Sequence, residues 1–112
     1  MPRNDDPAVR RRFRRRTVRI LVDYQAAGPP CCEYATTLGA GGMFIESDEP
    51  LPSGTALKVR FRLPEAEALH DIEARVAWCI AGDDSGVVPG MGIEFTDAVA
   101  AARLARELEH LP

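Results

Sequence analysis

Apolar and polar residues alternate along most of the chain in short runs, and near the end the spacing becomes helical. In Thr17–Tyr24, the residues Val18, Ile20, Val22 and Tyr24 alternate with Thr17, Arg19, Leu21 and Asp23. That period of two predicts a strand with one apolar face and Leu21 as its exception. Glu33–Leu38, rich in Tyr and Thr, predicts a short second strand, and Met43-Phe44-Ile45 a third. In Ala56–Leu63, Leu57, Val59, Phe61 and Leu63 face one way, while Lys58, Arg60 and Arg62 face the other. In Ile72–Ile80, the residues Ile72, Ala74, Val76, Trp78 and Ile80 are expected inward, opposite Glu73 and Arg75. Met91, Ile93 and Phe95 mark a sixth strand. From about Asp97 to His110, Val99, Leu104, Leu108 and Leu111 line one side of a helix, with Thr96 or Asp97 as its N-cap.

Breakers separate these runs. Gly28-Pro29-Pro30 forces a turn, and Pro50, Pro52 and Gly54 mark a loop. Gly39-Ala40-Gly41-Gly42 is a turn or a close backbone approach. Pro64 to His70 connects a hairpin, and residues 81–90 form a further loop. The order is a basic arm over residues 1–16, then six strands and a helix over residues 17–112. Strands this short and evenly spaced favour a small barrel, because closure removes exposed edges. A chain of 112 residues holds one such core and no second one.

Composition narrows the class. With 46% apolar and 28% charged residues the chain is globular. No run approaches the ~20 apolar residues of a membrane-spanning helix. Arg10 to Arg16 is a charged block without the apolar stretch of a secretory signal, so a cytoplasmic location is expected and no membrane insertion. Cys31, Cys32 and Cys79 are a poor disulfide framework, and with only His70 and His110 to assist they are a poor zinc site, so reduced thiols and no metal are expected.

Charge is unevenly placed. Residues 1–19 hold eight arginines and two acids, a net of +6, whereas residues 20–112 hold six basic and fifteen acidic residues, a net of −9. Arginine presents a planar fork of donors that suits phosphate and guanine edges. No catalytic constellation accompanies it. His70 falls in a hairpin and His110 at a helix end, Asp83-Asp84 reads as a solvated turn, and no paired carboxylates stand out. The glycine stretch lacks the Lys-Ser/Thr end of a P-loop and precedes a strand rather than a helix. No enzyme activity and no cofactor are expected.

Three local patterns in order resemble the PilZ family of cyclic di-GMP receptor domains. Arg10-Arg11-Arg12-Phe13-Arg14-Arg15 resembles the family's Arg-x-x-x-Arg motif. Registers Arg10/Arg14 and Arg12/Arg16 also fit, but Arg11/Arg15 sets Phe13 at the usual aromatic position and Val18 at the strand start. Thr37-Leu38-Gly39-Ala40-Gly41-Gly42 falls where the family has Asp/Asn-x-Ser-x-x-Gly, and Met43-Phe44-Ile45 follows as is typical. Trp78 and then Gly90-Met91-Gly92-Ile93-Glu94-Phe95 resemble the closing pattern. The resemblance spans residues 10 to about 108. It implies a mainly all-β fold, a six-stranded antiparallel PilZ-type β-barrel with one C-terminal α-helix.

It also implies a cyclic di-GMP site made by Arg11, Arg12 and Arg15 together with Thr37, Gly39 and Gly42. Two positions depart from the family: Thr37 replaces Asp or Asn, and Gly39 replaces Ser. Each lost hydrogen bond to a charged ligand group costs about 1.5–3 kcal/mol, so two weaken binding by roughly two or more powers of ten. Three readings follow. The first is a cyclic di-GMP receptor. The second is a PilZ-like adaptor that has lost nucleotide binding and acts on a protein partner, in motility or polysaccharide regulation. The third, a binder of long nucleic acid, ranks well below: the acidic body repels a polyanion, and seven aromatics offer few stacking platforms.

Overall fold

The computed structural model describes residues 15–82 and 86–110. Its elements are β1 (Arg15–Gln25), β2 (Cys31–Gly39), β3 (Gly42–Glu46), β4 (Ala56–Phe61), β5 (His70–Ile80), β6 (Gly90–Phe95) and the helix α1 (Ala98–Leu108). The strands close into an antiparallel barrel in the order β1-β2-β3-β6-β5-β4. Alternation decides which residues enter it. Val22, Val59, Ile72 and Val76 point inward and are buried, as are Leu57, Phe61 and Leu63. Each such side chain contributes about 1.5–3 kcal/mol by leaving water.

Among the described residues the barrel has three irregularities. Pairing shifts register between Thr17 and Ile20 on β1, between Ala35 and Thr37 on β2, and between Val76 and Trp78 on β5. Such bulges bend a strand and re-aim its side chains. The third corrects the sequence expectation for Trp78. Simple alternation put it inward, but the extra residue Ala77 turns the indole outward, where it is 41% exposed.

Asp97 caps α1, its carboxylate accepting from the amides of Val99 and Ala100. The buried stripe is Ala100, Leu104 and Leu108, at spacing four. Val99 was expected in that stripe and is instead 71% exposed. Five residues before Leu104, it lies about 140° around the helix from it. Leu111 lies outside the described residues. His70 also departs from expectation. It is buried at the start of β5, stacked on Phe61, with Nε2 2.6 Å from Oε1 of Glu107 on the helix. A buried imidazole needs a polar partner, and the helix supplies it. The Arg16 guanidinium also donates to the Leu108 carbonyl at 3.3 Å, so both β1 and β5 hold the helix end.

Candidate functional site

The β2–β3 turn is built for close approach. Gly42 opens β3 opposite Glu94 of β6, and a Cβ there would stand 1.9 Å from the Ile93 carbonyl oxygen. The Phe95 amide donates to the Gly41 carbonyl at 3.0 Å, fixing the turn against β6. Next to it β6 is bare. Gly90 lies under the Phe44 ring and Gly92 under the Trp78 indole, each ring closer than a Cβ would allow without a shift. The two rings stack with centroids 5.5 Å apart across the strand. The glycines of Gly90-Met91-Gly92 are therefore the seat of an aromatic pair on the barrel exterior.

A cleft of about 260 Å³ results, lined by Gly39, Gly41, Gly42, Ala77, Trp78, Gly92, Ile93 and Glu94. The Glu94 carboxylate accepts from Arg75 at 2.7 Å on the outer surface. Thr37 lies just before the cleft on β2, paired with Thr17 and Phe44. Its Oγ1 is buried with no hydrogen-bond partner among the described residues, an unusual state for a hydroxyl that can both donate and accept.

Gly39 and Gly42, expected at the site, both line this cleft, and Thr37 stands beside it. Arg15, the last residue of the motif, pairs in register with Gly39. Arg11 and Arg12 lie outside the described residues. Alternation gave no hint that Trp78 and Glu94 line the cleft. The signal was there in Gly90 and Gly92, since glycine twice in one strand calls for a neighbour that needs the space.

A larger cleft, about 660 Å³, opens at the other end of β1 among Asp23, Cys31, Cys32, Lys58, Arg60 and Asp71, and holds none of the motif residues. There the Asp23 carboxylate, accepting from Cys32, pushes that thiol above its ordinary pKa. Cys31, Cys32 and Cys79 are free and exposed. No group of three or more metal-ligating side chains occurs among the described residues. No helix among them is long and apolar enough to cross a membrane.

The site can therefore offer an indole face for stacking, glycine backbone for close approach and one hydroxyl unpaired among the described residues, with Arg15 on the strand paired to Gly39. Stacking of a base on an aromatic face is worth about 1–3 kcal/mol.

A family model described as PilZ domain matches residues 9–111. No curated protein sequence matches the chain. Among solved structures, the Bacillus subtilis inhibitor of motility (MotI/DgrA) is similar with a TM-score of 0.70 at 23% identity, over 91% of this chain and 53% of that one. The chain thus spans about half the length of that protein. The PilZ domain of CeSA from a cellulose synthesizing bacterium gives a TM-score of 0.62 at 23% identity, over 86% of this chain and 98% of that one. The PilZ domain of YcgR from Escherichia coli, solved with c-di-GMP, gives 0.68 at 16% identity over 91% of each chain. At these identities the likeness is one of fold.

Proposed function

The chain belongs to the PilZ domain family, and from that premise we propose that it binds cyclic di-GMP in the cleft between the glycine turn and Trp78, with the arginine motif closing over it. The observation that carries this reading is the pairing of Arg15 with Gly39 at the rim of an indole-walled cleft. Arg11, Arg12 and Arg15 supply charge for the phosphates. Trp78 supplies a stacking face for one guanine, and Gly42 lets the ligand approach the backbone. The Thr37 hydroxyl, buried without a partner, is the polar group left where the family has Asp or Asn. The Glu94 carboxylate, in the same cleft, suits the donor edge of guanine. The YcgR domain that shares this fold is a complex with c-di-GMP. The role is reception of a signal rather than catalysis.

A second reading rests on a specific departure. Gly39 offers no side chain where the family has Ser, and Leu21, Leu69 and Val88 are exposed on the barrel. Both features suit an adaptor that acts by contact with a protein, and one protein of similar fold is an inhibitor of motility.

Calorimetric titration with cyclic di-GMP at physiological salt separates the two. Binding at micromolar affinity, lost in Arg11→Ala and Arg15→Ala with the melting temperature unchanged, supports the receptor. Retained affinity in both variants overturns the site. Absence of heat and of any thermal shift at hundreds of micromolar leaves the adaptor.

A further inference from the structure

Over Arg19–Val22, β1 has no strand partner on its β4 side among the described residues. β1 pairs with β2 from Arg15 to Tyr24 but with β4 only over Asp23–Gln25. Before Asp23 the two strands diverge, and a groove of about 440 Å³ opens between β1 and the segment that follows β4. Its lining includes Arg19, Leu21, Asp23, Arg60, Arg62 and Leu69. Leu21 and Leu69 are 53% and 43% exposed.

The charge of the groove is mainly positive, and its arginines are lightly held. Arg60 shares Asp71 at 3.6 Å with both side chains about half exposed. Arg62 donates to a neutral group, the Glu67 carbonyl. Arg19 lies over the Tyr34 ring, 4.1 Å from its centroid. Exposed contacts of this kind are worth little, so an incoming carboxylate can replace them.

We propose that this groove docks an extended segment of a partner protein that carries both acidic and aliphatic residues on one face, at every second position, added to β1 as a further strand. A strand edge supplies the backbone hydrogen bonds for such an addition, and alternate side chains then fall on one face. Arg19 and Leu21, two apart, are both exposed on the outer face of β1, so an added strand must carry carboxylates toward Arg19 and Arg62 and aliphatic side chains toward Leu21 and Leu69 on that same face, at every second position. Charge argues against a second copy of this chain. Two β1 edges paired about a two-fold axis would bring together strands carrying Arg15, Arg16 and Arg19, and like charges across a ladder are destabilising. The same charge argues against the arginine-rich residues 1–14 as occupant.

The test starts from a random dodecapeptide library displayed on phage and selected against the full chain. The enriched consensus is then synthesised and titrated by fluorescence anisotropy. The expected consensus carries acidic and aliphatic residues two positions apart, on one face of an extended strand. Its affinity should fall at least about tenfold with Arg62→Glu and with Leu21→Ser, both at exposed positions, at unchanged melting temperature. It should be unaffected by Arg103→Glu, an exposed change on α1. Failure of any acidic-aliphatic family to enrich would overturn the proposal. So would a consensus whose affinity ignores both groove variants and falls instead with Arg11→Ala. Concentration-dependent dimerisation abolished by Leu21→Ser would assign the edge to a second copy and overturn it too. None of these outcomes depends on nucleotide binding.

Discussion

A Cβ at Gly92 would stand 2.3 Å from Cε2 of the Trp78 indole. The indole is part-exposed and can swing away, so Gly92→Ala is expected to move the ring rather than the strand. The variant should fold with a loss of about 1 kcal/mol, the lower end for overpacking. Its tryptophan emission should shift to the red, and any cyclic di-GMP affinity should fall. Gly42→Ala differs because its obstacle is the Ile93 carbonyl, which is backbone. A loss of about 3 kcal/mol or failure to fold is expected there. Urea denaturation of the two variants side by side checks the contrast, and equal losses would contradict it.

The unpartnered hydroxyl of Thr37 makes stability and binding move in opposite directions. Thr37→Val removes a buried polar atom that gains nothing from the fold, so stability should rise, by up to about 1 kcal/mol. If that hydroxyl bonds the ligand, affinity for cyclic di-GMP should drop in the same variant. Conversely, Thr37→Asn combined with Gly39→Ser should tighten binding. Melting curves and calorimetry on the same preparations test both halves.

Alkaline stability should depend on Tyr24. Burial first, and then the hydrogen bond its hydroxyl donates to Glu33, push the phenol well above the ordinary tyrosine range. Folding therefore favours the protonated form. Its contribution is complete below the unfolded pKa of about 10 and is lost as pH rises beyond that toward the folded value. Wild type should lose melting temperature between about pH 9.5 and 11 more steeply than Tyr24→Phe. Parallel curves would show that another group governs the decline.

The pairing of His70 with Glu107 should hold α1 on the barrel. Glu107→Ala leaves a buried ring nitrogen without its partner, at a cost of about 1–3 kcal/mol. Hydrogen exchange should accelerate over Ala98–Leu108 more than over β2 and β3. A uniform change across the molecule would mean that the contact does not act locally.

The sequence by itself determined the element order, six strands and one helix, because most runs show a local period and are bounded by glycine, proline or a helix cap. It also determined most of the core. On β4 the face of Val59 is buried throughout, and on β5 the face of Ile72 is buried from His70 to Val76. The family was legible because its motifs are local in the chain. The positions that only tertiary structure decided are those where a local period breaks against a partner strand. The bulge at Ala77 exists because β5 must meet β6 in a closing barrel, and it alone sends Trp78 outward. His70 could not be placed from its neighbours in sequence, since its partner Glu107 is 37 residues away. The cleft itself joins Gly39, Gly42, Trp78 and Gly92 from four strands. Such a juxtaposition depends on register and barrel closure, which arise from pairing between strands and not from the pattern within any one of them.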